Sequence, residues 1–144
     1  MPLAPDDSPG FLLWHTTLRW QRTMAATLGP LDLTHPQFVL LASLWWLEGR
    51  DVRPNQLTLA NHAGMDVKTA SQVLRRLEAK ALLVRATDPT DTRAKLLHIT
   101  DAGARLAAEA IEAVEAADTT FFATTPDRPA LLTALRHLSA GNDA

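Results

Sequence analysis

The sequence predicts a mainly α-helical fold with one small β-hairpin, a winged helix-turn-helix flanked by helices suited to dimerisation. Three observations lead to this fold class. Helix-capping patterns followed by apolar residues at helical spacing recur through most of the chain. A short helix and a longer amphipathic helix are separated by a tight turn, and two strand-like runs follow them directly. Because 144 residues is the size of one ordinary domain, we expect residues 31–100 to form the winged lobe, and residues 9–30 and 101–140 the dimerisation region.

Two helices are predicted in the first third of the chain. Ser8 followed by Pro9 has the form of a helix start, and the apolar segment behind it ends at Gly29. Thr34 and Gln37 have the spacing of a capping box, in which each side chain bonds the backbone N–H of the other residue. An apolar run follows, so the second helix is expected there.

The centre of the chain carries the helix-turn-helix pattern. Asn55 is placed to cap a short helix that ends at Gly64, and Asp66 to cap a longer helix that ends near Ala81. The longer helix has four apolar residues on one face, namely Ala70, Val73, Leu74 and Leu77. Its other faces are polar and basic.

A hairpin and two more helices complete the predicted order. Residues 82–87 and 95–99 are short strand-like runs, and the polar segment between them is prone to turns. Thr100 then caps a long alanine-rich helix, and Asp127 opens a final one. The expected apolar stripes of these helices are Leu106, Ala110, Ile111, Val114 and Phe121, and then Leu131, Leu132, Leu135 and Leu138.

The outer helices carry more apolar surface than a lone winged helix needs to cover its core. This excess lies in residues 11–28 and 100–138. Small residues such as Ala107, Ala110 and Ala117 also permit a close approach between helices. We therefore expect the chain to form a homodimer through these segments.

Composition excludes several classes of protein. A chain with 47% hydrophobic and 21% charged residues is globular rather than disordered. It has no apolar run of the roughly 18 residues that span a membrane, and residues 1–10 lack the basic start of a signal peptide, so a cytoplasmic protein is expected. The absence of cysteine excludes disulfides, thiolate metal ligands and thiol-based redox sensing.

Charge is segregated along the chain. Residues 53–95 carry eight basic and four acidic side chains, a net charge of +4. The segments on either side, 1–52 and 96–144, carry −2 and −4. A basic stretch between acidic flanks is typical of a surface that meets a polyanion such as DNA.

The basic helix has the composition of a DNA-recognition helix. Glutamine can pair with an adenine edge and arginine or lysine with guanine, while basic residues farther along the helix suit phosphates. The predicted DNA-binding residues of this helix are Lys68, Thr69, Ser71, Gln72, Arg75 and Arg76. The alternative interpretation is an ordinary amphipathic surface helix.

The tip of the hairpin carries one arginine, preceded by two aspartates. Arg93, with Lys95 behind it, suits the strongly negative minor groove of DNA. Asp91 is placed to pair with Arg93, hold the tip and orient the guanidinium. A purely structural ion pair is the alternative, and both roles can hold together.

The stretch from Leu33 to Leu106 resembles the MarR family of bacterial winged-helix regulators. The motifs that carry the resemblance are Leu33-Thr34-x-x-Gln37, the short helix 57–63, Thr69-x-Ser71-x-x-Leu74-x-x-Leu77-Glu78, the strand entry Leu82-Leu83-Val84-Arg85, the wing pattern Asp88-Pro89-x-Asp91-x-Arg93, and Ile99-Thr100-x-x-Gly103. One departure is Ala81, since the family usually has glycine at this helix end.

The resemblance implies a regulator, usually a repressor, that binds a pseudo-palindromic operator in double-stranded DNA as a homodimer. It also implies modulation by a small anionic aromatic ligand in a crevice between the dimer helices and the DNA-binding lobe. Four residues are candidates to line that crevice: Trp14, His15, Arg19 and Trp45. The alternative, which we favour because large aromatics mostly serve packing, is that the tryptophans are core and His15 is structural.

Metal and enzyme chemistry find little support. The five histidines stand far apart with no His-x-x-x-His pair, so no metal or other cofactor is expected. The sequence contains no Gly-rich phosphate loop and no G-x-S-x-G elbow. A winged-helix protein-interaction module that has lost DNA contact remains the competing functional class.

Overall fold

The computed structural model describes residues 1–91 and 95–141. Its elements in chain order are α1 (Pro9–Leu28), α2 (His35–Glu48), α3 (Gln56–Ala63), α4 (Val67–Ala79), β1 (Leu83–Thr87), β2 (Lys95–Ile99), α5 (Asp101–Phe121) and α6 (Arg128–Ala140). The two strands pair antiparallel, with Leu83 opposite Ile99 and Thr87 opposite Lys95. The predicted fold class and element order are confirmed.

The helices begin where the capping residues predicted. Ser8 Oγ accepts from the Phe11 N–H at 3.4 Å at the start of α1. The capping box of α2 is complete, because Thr34 Oγ1 accepts from Gln37 N at 3.3 Å and Gln37 Oε1 accepts from Thr34 N at 3.2 Å. Three more predicted caps accept a backbone N–H in the same way, and these are Asn55, Asp66 and Thr100. Asp127 caps α6 likewise.

The core is organised around α2. Its inward residues Leu40, Leu41 and Leu44 are fully inaccessible to solvent, and the helix packs against α1, α3, α4, α5 and β2. Leu59 of α3 and Leu74 of α4 join the same cluster. The helix-turn-helix is therefore held rigidly on the helix behind it, which fixes the direction in which the outer face of α4 points.

The buried face of α5 differs from the predicted stripe. Leu106, Ile111 and Phe121 are only partly buried. Ala110 and Val114 of the predicted stripe are buried, and Gly103 and Ala107 complete the face that packs inward. Ala107 and Ala110 are fully inaccessible within this single chain, where α5 packs on α1 and α2. The expectation that these alanines serve close approach to a partner was wrong, because they serve approach to the chain's own helices.

The start of α5 is fitted tightly against the end of the recognition unit. Thr100 N donates to the Leu82 carbonyl at 3.1 Å, and Thr100 Oγ1 donates to the Ala81 carbonyl at 2.7 Å. A Cβ added to Gly103 would lie 2.0 Å from the Leu82 carbonyl oxygen. Only glycine fits at this position, which explains the Thr-x-x-Gly pattern.

Ala81 adopts the left-handed conformation expected from the family pattern, with φ of +57°. We expect Ala81→Gly to raise the free energy of unfolding by about 1 kcal/mol, because glycine adopts this conformation without steric cost. Urea unfolding of the two proteins measures the difference. Ala108→Gly, at an exposed position in the middle of α5, is the control and should instead destabilise by about 0.5–1 kcal/mol. Equal losses for both variants would contradict the role assigned to Ala81.

The hairpin is anchored at its base on two sides. Leu97 N donates to the Pro54 carbonyl at 2.8 Å, so the segment before α3 adds a short third edge to the hairpin. Glu48, the last residue of α2, accepts from Ile99 N at 3.1 Å through Oε2. Its Oε1 lies 2.6 Å from His98 Nδ1. The root of the hairpin is thus fastened to the end of α2.

The two chain ends leave apolar side chains in solvent. No residue described in α6 is buried, and Leu138 is 72% exposed. The first turns of α1 likewise expose four consecutive large residues, Phe11, Leu12, Leu13 and Trp14. Within residues 1–91 and 95–141, no helix combines the length and apolarity required to cross a membrane.

Candidate nucleic-acid interface

Helix α4 has one buried face and one polar face. Ala70, Leu74 and Leu77 are fully inaccessible and fix the helix to the lobe. Of the six candidate DNA-binding residues on α4, Ser71 is partly buried and the others are exposed, namely Lys68, Thr69, Gln72, Arg75 and Arg76. The predicted amphipathic helix is therefore present, with its polar residues available to a partner.

Three of these candidates form hydrogen bonds with side chains of α4 itself or of its capping residue, and they are Thr69, Ser71 and Arg75. The Asp66 carboxylate accepts from both Thr69 N at 3.1 Å and Thr69 Oγ1 at 3.3 Å. Arg75 Nη2 donates to Ser71 Oγ at 3.4 Å. Lys68 and Gln72 are four residues apart, so they project from the same side of the helix one turn from each other. Both side chains are exposed.

Lys80, a basic residue of the central segment, bonds two parts of the lobe to each other. Lys80 Nζ donates to Gln37 Oε1 at 3.1 Å and lies 3.5 Å from Asp32 Oδ2. These bonds tie the end of α4 to the start of α2. The positive charge of the segment is therefore not all available to a polyanion.

Arg85 joins three elements of the lobe. It donates to Gln56 Oε1 at 3.2 Å and pairs with Glu78 Oε1 at 3.6 Å. Since these partners lie on α3 and α4, Arg85 fastens the hairpin to the helix-turn-helix. The sequence signal for this role is weak, because the three residues are far apart along the chain.

The tip of the hairpin is only partly described. Arg93 lies outside the described residues, so its minor-groove role and its pairing with Asp91 stay predictions. Lys95 is exposed at the start of β2, opposite Thr87. Before the tip, Asp88 Oδ1 accepts from Thr90 N at 2.9 Å and from Thr90 Oγ1 at 2.7 Å. These bonds, the backbone one first, hold the pKa of Asp88 below its usual value.

Three of the four candidate ligand residues lie on α1 and the fourth lies near the end of α2. Trp14 is 62% exposed, and the His15 ring packs edge-on against Phe11 at 4.5 Å between centroids. Arg19 lines an open cleft of about 740 Å³ between α1 and the connection from α5 to α6. Trp45 lines another cleft, of about 570 Å³, at the end of α2. The structure thus separates Trp45 and Arg19 rather than gathering them into one crevice.

The favoured alternative, that the tryptophans are core, is wrong for three of the four. Trp14, Trp45 and Trp46 are exposed, and only Trp20 is partly buried. Trp20 Nε1 donates to Asp118 Oδ1 at 2.9 Å and so joins α1 to α5.

Trp20 also packs edge-on against His35, at 4.9 Å between ring centroids. Burial lowers the pKa of His35, and the nearby Asp118 charge opposes that shift.

Sequence reasoning missed a stacked group at the end of α2. The Arg50 guanidinium lies 4.0 Å from the Trp46 ring centroid, and His62 of α3 stacks on the same indole at 5.6 Å. The only available signal was the spacing of Trp46 and Arg50, which are four residues apart across the end of α2. In the described part of the chain, no three His, Asp or Glu side chains are grouped to hold a metal ion.

The chain is similar in sequence and in structure to known proteins. Residues 33–95 match the model of the MarR family. The chain is 37% identical to the uncharacterised HTH-type transcriptional regulator YdcH of Bacillus subtilis strain 168, over 94% of this chain and 92% of that protein.

Two solved structures resemble it over nearly their whole length. BpsR of Bordetella bronchiseptica, whose DNA binding is regulated by 6-hydroxynicotinic acid, superposes with a TM-score of 0.86 at 27% identity, over 99% of this chain and 100% of BpsR. The transcriptional repressor CouR of Rhodococcus jostii RHA1, bound to a 23-mer DNA duplex, gives a TM-score of 0.81 at 27% identity, over 96% and 99% of the two chains.

Proposed function

The chain belongs to the MarR family of transcriptional regulators, and we propose that it represses transcription by binding a pseudo-palindromic operator as a homodimer, with a small molecule controlling that binding. Members of this family are transcription regulators and not enzymes. The observation that carries the proposal is the geometry of α4, whose buried face is fully packed while its opposite face is polar and basic. Acting on chromosomal DNA, the protein would work in the cytoplasm.

DNA contact is assigned to α4 and the hairpin. The N-terminal part of a recognition helix enters the major groove, and here that part presents Lys68 and Gln72. Arg75 and Arg76 lie farther along the helix, where contact with phosphate is favoured. Arg93 and Lys95 of the hairpin would follow the adjacent minor groove. CouR bound to a DNA duplex supports this assignment, because its fold is closely similar.

The homodimer is assigned to the exposed apolar faces of α1 and α6. Large apolar side chains left in solvent on these two helices mark an interaction surface. The residues that form this surface are Phe11, Leu12, Leu13 and Trp14 of α1 with Leu132, Leu135 and Leu138 of α6. A two-fold axis through it would place two copies of α4 about 34 Å apart, on successive major grooves of the operator.

The effector is assigned to the cleft at the end of α2. Trp45 and Trp46 offer aromatic surface there, and Arg50 offers a cation for an acidic group. The regulation of BpsR by 6-hydroxynicotinic acid supports a small-molecule effector. Titration of the protein with simple aromatic carboxylates, followed by tryptophan fluorescence in the wild type and in Trp45→Leu, tests this assignment.

The decisive experiment is fluorescence anisotropy with the DNA upstream of the protein's own gene and with a scrambled duplex of equal length. At physiological salt we expect the first to bind about 10³-fold more tightly. Affinity should also fall steeply as salt rises, since phosphate contacts release counterions. Equal, weak binding to the upstream duplex, the scrambled duplex and a duplex selected from random sequences would favour the protein-interaction class instead.

Gln72→Ala is expected to change which bases are preferred more than it changes overall affinity. A glutamine that pairs with adenine discriminates against other bases by about 1–3 kcal/mol, so the variant should bind single-base variants of the operator more evenly. Competition anisotropy against a panel of such duplexes measures this. Gln21→Ala, an exposed glutamine of α1, is the control and should leave the preference intact. A uniform loss across the panel would mean that Gln72 contacts the backbone.

A further inference from the structure

An apolar side chain stands at the tip of the recognition helix. Val67 is the first residue of α4 and is 39% exposed. Among the described residues of α4, it is the large apolar side chain left in solvent, and the other outward positions are polar apart from Ala79 at the end of the helix. The methyl groups of Val67 are therefore open to a partner surface.

The groups around Val67 leave its methyl groups accessible. Asp66 directs its carboxylate back onto Thr69, whose N–H and hydroxyl it accepts at 3.1 and 3.3 Å. The acid is thereby held on its own helix. Lys68, next in the chain, is exposed and offers a positive charge beside the valine. A β-branched side chain in a helix has essentially one rotamer, so Val67 loses little side-chain entropy on contact.

We propose that Val67 contacts the 5-methyl group of a thymine in each operator half-site and so selects thymine at that position. The inference rests on the proposed function. In the major groove, thymine differs from every other base by presenting a methyl group, and an apolar side chain is the matching partner. Helix position supports the contact, because the first residues of a recognition helix are those that meet base edges.

The size of the effect follows from the burial of one methyl group. Removing a buried methyl costs about fourfold in affinity. Because the proposed operator has two half-sites, changing the thymine in both should weaken binding by about 15-fold.

The test replaces thymine by uracil, which lacks only the methyl group. An operator is first obtained by selection from random duplexes with the wild-type protein. Each thymine is then replaced symmetrically in both half-sites, and the Kd of each duplex is measured by anisotropy. We expect one position at which the wild type loses affinity by about 15-fold and Val67→Ala shows no loss, because the alanine variant has no contact left to lose.

The matched control is Val52→Ala, which removes the same atoms from a valine that is 41% exposed beyond the end of α2. It should keep the full sensitivity to uracil. If Val67→Ala keeps that sensitivity too, or if every replacement by uracil changes the Kd of the wild type and of Val67→Ala equally, Val67 does not contact a thymine methyl group. Specific DNA binding would still stand. If selection yields no sequence bound better than a scrambled duplex, the inference and the proposed function fall together.

Discussion

Replacing Gly103 by alanine is expected to lower the free energy of unfolding by about 3 kcal/mol, at the upper end of the usual cost of overpacking. The new Cβ would lie 2.0 Å from the Leu82 carbonyl oxygen and 2.9 Å from Ile99 Cγ1. A side chain could rotate away, but the Leu82 carbonyl is backbone and also accepts from Thr100 N. Relief therefore requires α5 to move away from the junction of α4 and β1.

Thermal unfolding followed by circular dichroism, at one fixed protein concentration, measures the loss as a lower Tm. Gly29→Ala is the control, because Gly29 has a right-handed φ of −53° and a Cβ there meets no atom within 4 Å. It should leave the Tm nearly unchanged. A Gly103→Ala protein as stable as the control would show that the junction has more room than its geometry indicates.

Replacing Leu135 by glutamate is expected to convert the proposed dimer into monomers and to weaken binding to a full operator by about 10²-fold or more. Leu135 lies on the exposed face of α6, and two-fold symmetry would bring two copies of the introduced charge into one apolar interface. Each monomer keeps its own α4. What is lost is the second half-site held at a high effective concentration.

Light scattering after size exclusion gives the mass, and anisotropy gives the affinity for whole and half operators. Leu57→Glu, on α3 and also exposed in the single chain, should remain dimeric. Half-operator affinity should be the same for Leu135→Glu and the wild type. A Leu135→Glu protein that stays dimeric would move the interface away from α6.

Local patterns were enough to predict most of the fold. Each helix start depended on one capping residue and its nearest neighbours in sequence, as at Thr34 and Gln37. The stripe of α5 was predicted only in part. Ala110 and Val114 are buried as expected, but close contact between helices also places Gly103 and Ala107 inside, and larger residues such as Leu106 and Ile111 lie at the edges.

The interface was predictable in outline but not in detail. Lys80 and Lys68 look alike in sequence, yet Lys80 is bonded to Gln37, 43 residues away. No local pattern reveals such a partner. The sequence also did not reveal that Trp14 and Trp45 are exposed. An apolar residue that contacts another molecule has the same sequence pattern as a core residue.

Glu48 bonds the end of α2 to β2, so it is the pivot about which the strand would rotate if α2 tilted. Both of its carboxylate oxygens contact β2 at Ile99 and His98, and the same residue lines the cleft beside Trp45. From Ile99 to Lys95 the strand is about 13 Å long, so a rotation of about 5° at the pivot moves its far end by about 1 Å. A small tilt of α2 would therefore move Lys95 farther than it moves the residues beside Glu48, in proportion to the length of the strand.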